Sequence, residues 1–200
     1  MYALITDGSI AKYLSGNRGI QVGDIKYARD IYSKWTEAER NAIGIYEVIQ
    51  NNTKKKDEEY YTNTNQTFTY DADAGTVTAT YGDATAKAHA DTLFTEDDED
   101  NGLGTEGEVK VEGLKTKKIR SVKVQAASIL TQTDWYIVRK ADAGTSIPSA
   151  ITNHRAAVRT KCAAMETAIT NASDTPAIET LYTRNADGVR PLGDLPELEV

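Results

Sequence analysis

The sequence predicts an α+β protein in which a small β-rich module precedes an α-helical hairpin. Three observations carry that prediction. Short runs alternating Ile, Val, Tyr and Thr, separated by turn residues, dominate the first half. Longer stretches with apolar residues every three or four positions dominate the second half. Between them, TEDDEDNGLGTEGE (95–108) is acidic, glycine-rich and almost free of large apolar groups, which reads as a linker or long loop. The expected division is 1–92 for the β-rich module and 93–110 for the linker. The helical hairpin with a third short helix takes 111–183, and an extended C-terminal tail takes 184–200.

The elements follow in order. YALITD (2–7) is a short strand ended by the turn signal Asp7-Gly8. Ser15-Gly16-Asn17-Arg18-Gly19 is a loop, and weak alternation follows through Ile20, Val22, Ile25, Tyr27 and Ile31. Thr36 and Glu39 have capping-box spacing, in which the threonine oxygen accepts the Glu39 amide while the carboxylate reaches back. A helix of about two turns should therefore run to Ala42. Gly44 can end it in the left-handed conformation, with a strand at IYEVI (45–49) and Trp35 stapling the helix start. TFTYDADAGTVTATY (67–81) reads as a hairpin turning at 72–75.

In the second half, Ile119, Val122, Ala126, Ile129 and Leu130 form one helical stripe, with basic residues opposite. ADAGTSIPSA (141–150) is a turn, and Pro148 suits the start of the next helix. Ile151, Val158, Cys162, Met165 and Ile169 make the facing stripe, so the two helices should pack as an antiparallel pair. Thr175, as cap, and Pro176 open a third short helix.

Composition excludes several functions. A net charge of −7 argues against binding nucleic-acid backbone. The basic residues between Lys110 and Lys123 read as a solvated helix face. No apolar run reaches the ~18 residues of a membrane span, and the start lacks the basic-then-apolar pattern of a signal peptide. A cytosolic protein, or one that leaves the cell by another route, is expected. The single cysteine, Cys162, reads as a buried helix position rather than a nucleophile. His89 and His154 read as ordinary surface histidines. No phosphate loop, dinucleotide fingerprint or paired Cys/His set occurs, so no catalytic residue, metal site or cofactor is expected. Asp97, Asn101, Gly102 and Glu108 fit calcium-loop positions, but Glu99 and Gly104 do not, and the acidic-linker reading is preferred.

The region of greatest interest is TQTDWYIVR (131–139). An acid beside an aromatic can serve a sugar-binding site, though a lone Asp-Trp pair is weak evidence. As a joint, Thr133 and Asp134 would stop one helix or cap the next turn. Trp135 would pack into the seam between helices, where truncation to alanine costs about 3–5 kcal/mol. Arg139 would brace a carboxylate or a helix end. As an interface anchor, Trp135 and Arg139 are the residue types favoured at hot spots.

Residues 126–159, an apolar helix, then Thr133-Asp134-Trp135, a turn, and Arg155-x-x-x-Arg159 around Val158, resemble the C-terminal segment of phage tail assembly chaperone and tail-fibre assembly proteins. His154 stands where that pattern has an aromatic, and the turn is longer and carries Arg139. WTEAERNAIGIYEV (35–48) is similar to a segment of proteins encoded near phage tail genes. The resemblance implies a non-enzymatic tail protein that binds tail or tail-fibre subunits, as a virion component or as an assembly factor. It places the protein in the virion tail, or in the host cytoplasm during assembly. Expected partners are other phage tail or fibre proteins and further copies of itself, with no nucleic acid and no membrane. The alternative is a carbohydrate-binding or depolymerising tail module, which needs clustered aromatics and paired carboxylates in one cleft. The scaffold or partner-binding residues expected are Thr133, Asp134, Trp135, Arg139, Arg155, Arg159 and Trp35.

Overall fold

The computed structural model describes residues 1–198, and the chain separates into two compact units, Met1–Thr85 and Ala86–Val200. The first unit is β-rich and the second is largely helical, as an α+β reading requires. The last two positions of the expected tail, 199 and 200, lie outside the described residues.

The first unit opens with β1 (Tyr2–Thr6) and β2 (Ser9–Leu14), an antiparallel pair joined by Asp7-Gly8 with φ of 50° and 73°. Positive φ at both loop positions is the twist a two-residue hairpin needs, which is why Asp-Gly stands there. β3 (Ile20–Val22) and β4 (Ile25–Tyr27) form a smaller hairpin. The short helices α1 (Ile31–Lys34) and α2 (Glu37–Ala42) follow. The capping box at α2 is complete: the Glu39 amide donates to the Thr36 hydroxyl at 3.3 Å, and the Thr36 amide donates to the Glu39 carboxylate at 2.7 Å. Gly44, at φ 80°, ends the helix where a Cβ would lie 2.7 Å from the Ile5 carbonyl oxygen. The chain then enters β5 (Ile45–Asn51). β6 (Tyr61–Thr62) pairs with β9 (Thr85–Ala86), and β7 (Gln66–Asp71) and β8 (Thr76–Tyr81) form the expected hairpin.

The main sheet has the order β2-β1-β5-β8-β7, antiparallel except for β5 beside β8. Period-two alternation divides its side chains. Leu14 and Ile45, with Tyr2 and Leu4, face a cluster completed by Ile20, Ile31 and Trp35, and Trp35 meets Tyr27 edge-on at 5.6 Å. Ala3, Val48, Val77 and Ala79 face the other way beneath Tyr46, Phe68 and Tyr70. Laid flat, the outer strands β2 and β7 would be four strand spacings apart, about 19 Å. Yet the rings of Tyr13 on β2 and Phe68 on β7 lie 4.6 Å apart. The sheet is therefore curled into an open barrel, with fully buried Ala3, Val77 and Ala79 inside. Small side chains on the concave face make room for that curvature.

The second unit corrects the linker expectation. The 93–110 stretch carries α3 (Glu96–Asp100) between β10 (Thr92–Leu93) and β11 (Val109–Val111), which pair antiparallel. Thr95 and Asp98 form a second capping box, and Lys110 pairs with Asp98 at 2.7 Å. These local bonds order an acidic segment that has no apolar core of its own. Among the described residues no group of acidic, histidine or cysteine side chains is arranged to hold a metal ion.

α4 (Leu114–Thr131) and α6 (Ser149–Asn171) are the long helices. Their bonds run antiparallel: Lys115 Nζ to the Thr170 carbonyl, Lys123 to Glu166, and Arg155 to the Leu130 carbonyl. Between them the predicted stripes meet. Val122 and Ala126 pack on Val158, Cys162, Met165 and Ile169. The basic face is less solvated than expected. Lys118 is buried with its ammonium 4.1 Å from the centre of the Tyr182 ring, because α7 (Thr175–Tyr182) folds back over it. Asp174, not Thr175, caps α7, accepting from the Ala177 amide at 2.8 Å. The Thr175 hydroxyl instead donates to the Lys87 carbonyl. The tail from 184 on has no regular structure, but buried Leu192 joins the helical core. No helix among the described residues is long and apolar enough to cross a membrane.

Gly113, the N-cap of α4, has no side chain to satisfy the free amides of the first turn. The preceding chain supplies the acceptors. The amides of Gly113, Leu114 and Lys115 donate to the Asp91 carboxylate, the Ala88 carbonyl and the His89 carbonyl, at 2.7, 3.0 and 3.0 Å. The Gly113 amide, with the Thr116 hydroxyl, holds the Asp91 carboxyl below its ordinary value of 3.8. A depressed acid stabilises the fold when ionised, and that contribution is lost as pH falls below 3.8 through the folded value. Melting curves recorded across that range should show a shallower acid loss for Asp91→Asn than for the wild type. Parallel curves would show that Asp91 does not cap α4.

Candidate functional site

The predicted motif lies at the junction of α4 and α5 (Asp134–Ala143), a ten-residue helix where the sequence suggested a turn. Thr133 is almost completely buried, and its hydroxyl donates to the Leu130 carbonyl at 3.0 Å. Arg155, reaching across from α6, is also buried. One of its terminal nitrogens, Nη1, donates to the Leu130 carbonyl and to the Thr133 hydroxyl, each at 2.7 Å, and pairs with Asp134 at 2.8 Å. Its Nε is buried without a partner among the described residues.

The arrangement has a simple electrostatic logic. Leu130 lies in the last turn of α4, the negative end of the helix, where a cation is favoured beside a carbonyl that also accepts the Thr133 amide at 3.1 Å. Asp134 is the first residue of α5, where an anion is favoured. Arg155 thus serves the negative end of one helix and the carboxylate at the positive end of the next. Thr133 and Asp134 form a joint, and Arg155 is the clasp that holds it.

Trp135 is not in the seam. It is 51% exposed, and the helical core is filled by aliphatic side chains, Cys162 and Met165 instead. With Asp134 directed to Arg155, the following position is rotated about 100° around the helix, toward solvent. Trp135 lies against Tyr136, ring centres 3.8 Å apart. The Arg139 guanidinium stands 4.6 Å from the Trp135 ring centre and 5.4 Å from that of Tyr136. Arg139 therefore braces aromatic rings, where a carboxylate or helix end was expected. Ile137 and Val138 are exposed on the same helix, and no residue of α5 is buried.

The other expected residues separate. Arg159, one turn beyond Arg155, is exposed and makes no ion pair or hydrogen bond among the described residues. Trp35 belongs to the Met1–Thr85 unit and packs in its core. His154, expected at the surface, is buried beside Arg155 in sequence, because the α6 stripe is wider than its aliphatic positions suggested. Cys162 is buried as expected, and burial, then the Glu166 carboxylate, pushes its thiol pKa up, away from nucleophilic character. Two cavities, of about 640 and 330 Å3, are lined by neither tryptophan. The larger lies between α4 and the tail, against Ile129, Gln132, Arg190 and Leu195. Sequence reasoning missed the role of Arg155 as the hub, although an arginine facing a helix end and an aspartate was the available signal.

No protein-family model matches the chain, and no curated protein or solved structure matches it either.

Proposed function

We propose that the chain is a non-enzymatic tail protein of a tailed bacteriophage that binds a tail or tail-fibre subunit through α5. The observation that carries the binding surface is a helix with no buried residue that displays Trp135, Ile137 and Val138 to solvent. Exposed apolar residues grouped on one short helix mark an interaction surface more often than scattered ones do. Tryptophan is enriched at the centre of interfaces. Its packing against Tyr136 and Arg139 restricts the ring before any partner arrives, which lowers the ordering cost of binding. The phage context rests on the resemblance across residues 126–159. A carbohydrate-binding tail module is the second reading, favoured by the exposed ring of Trp135 beside Tyr136.

Co-expression with tail and tail-fibre subunits of tailed bacteriophages tests the proposal. One of them should co-elute with the wild-type chain. Trp135→Ala should weaken that complex by about 2 kcal/mol or more. The same change should alter folding stability by less than about 1 kcal/mol, because the ring is half exposed. A complex indifferent to Trp135→Ala, or none with any subunit, overturns the assignment. Saturable binding of host-surface oligosaccharide that Trp135→Ala abolishes would establish the second reading. Mass spectrometry of purified particles separates a stoichiometric virion component from an assembly factor.

A further inference from the structure

The smaller cavity lies in the Met1–Thr85 unit, against the loop Ser15-Gly16-Asn17-Arg18-Gly19 that joins β2 to β3. Its wall runs from Lys12 to Gly16, continues from Arg18 to Gln21, and is completed by Tyr32 of α1. Two cations, Lys12 and Arg18, stand in that wall, and no carboxylate does. Neither cation makes an ion pair or hydrogen bond among the described residues. The surrounding sequence is locally basic in an acidic chain: residues 9–35 hold Lys12, Arg18, Lys26, Arg29 and Lys34 against Asp24 and Asp30. Two cations in the wall with no carboxylate beside them there favour an anion in the hollow, although the molecule as a whole carries −7.

The wall is also fixed in place. Gly16 has φ 75°, and a Cβ there would lie 3.0 Å from the Tyr2 ring. A Cβ on Gly19 would lie 2.6 Å from the Tyr27 carbonyl oxygen. The loop is thus packed closely at both glycines. Tyr32 is held by its ring contact with Tyr2, centres 4.7 Å apart. The Ser15 hydroxyl is committed to Asn17, the Gln21 amide donates to the Gly23 carbonyl and the Tyr13 ring is turned to Phe68, which leaves the two cations and the Tyr32 hydroxyl of the wall as donors. A preformed, donor-lined hollow binds without first paying to order itself.

We propose that this hollow is a binding site for a phosphorylated small molecule, with Lys12 and Arg18 holding the phosphoryl oxygens and the rest of the space taking a sugar-sized group. A tetrahedral oxyanion presents oxygens in several directions, so a point-charge lysine and a forked arginine can share it. At about 330 Å3 the cavity is at the lower end of the range for small-molecule sites and roomier than a bare phosphate requires. The site is independent of α5.

The test is an amide NMR titration of the full chain with glucose 6-phosphate, inorganic phosphate and glucose. Glucose 6-phosphate should produce saturable shifts at Gly16, Arg18 and Gly19, inorganic phosphate weaker binding at the same amides, and glucose none. Lys12→Ala and Arg18→Ala should each weaken glucose 6-phosphate binding by about tenfold, the loss of one charge-assisted contact. Both side chains belong to exposed residues, so melting should be unchanged and the loss attributable to the site. The proposal is overturned if glucose 6-phosphate gives no saturable shift at the loop, or if the two variants bind it as the wild type does. Inorganic phosphate binding as tightly as the ester, or glucose binding as well as its phosphate, overturns it equally.

Discussion

Arg155→Ala is expected to destabilise the helical unit by about 2–4 kcal/mol, the scale of losing two buried charge-assisted hydrogen bonds. Its side chain is 9% exposed, whereas that of Asp134 is 52% exposed. The asymmetry decides where the loss falls. Without Arg155, water can solvate Asp134 and the Leu130 carbonyl keeps the Thr133 amide and hydroxyl as donors, but the fully buried Thr133 hydroxyl oxygen is left without one. Asp134→Asn, by contrast, keeps an acceptor beside Arg155 and removes a half-solvated ion pair, which is worth about 1 kcal/mol or less. Arg155→Lys should recover only part of the loss, because one ammonium on a shorter reach replaces a planar fork. Urea unfolding followed by helical circular dichroism orders the three variants. Arg155→Ala within 1 kcal/mol of the wild type would show that the joint holds without its clasp.

Gly113→Ala should cost about 2–4 kcal/mol, combining overpacking with displaced capping bonds. The backbone there has φ −76°, so alanine meets no conformational barrier. The obstacle is contact: a Cβ would lie 2.3 Å from the Ala90 carbonyl oxygen and 2.4 Å from its carbon. Both atoms belong to backbone. To make room, the 88–91 segment must withdraw from the very amides it caps. Gly188→Ala is the control. That glycine has φ 74° and nothing within 4 Å of a Cβ, so it isolates the left-handed backbone penalty of about 1–2 kcal/mol. A Gly113→Ala variant as stable as the wild type, beside a Gly188→Ala variant that shows its backbone penalty, would show that contact with 88–91 contributes nothing.

The parts of the fold that were legible in sequence are those fixed by local rules. Thr36 and Glu39 announce a helix start because both partners of the capping box are three residues apart. Asp7-Gly8 and the 72–75 turn announce hairpins because the required backbone twist restricts the residue choice. The stripe from Ile151 to Ile169 is visible because helical periodicity and burial coincide. What was not legible depends on residues far apart in the chain. The 93–110 stretch looked unstructured because its composition offers no core, while its order comes from polar caps and a lysine twelve residues away from Asp98. α5 was hidden by its apolar residues, which fit the expectation of a seam and in fact face water. Lys118 and His154 read as surface residues because nothing local announces that α7 returns over α4 or that α6 buries a wide face. At the candidate site, Thr133, Asp134 and Arg155 were singled out in the sequence, and they meet because α4 and α6 lie antiparallel. The outward position of Trp135 follows from a helix the sequence reading did not foresee.

The curled sheet of the first unit also sets an order of events during synthesis. Its central strand β5 pairs with β1, translated before it, and with β8, translated after it. The outermost strands meet only when residue 13 finds residue 68. Neither contact on the β8 side exists until residues 76–81 have left the ribosome, so the earlier strands must wait in an incomplete sheet. Closure is then a long-range step, and long-range steps are the slow ones in β-rich folding. A chain stalled before residue 76 would leave Val48 without its β8 neighbour Val77, and nascent-chain proteolysis should register that interval as a late gain in resistance.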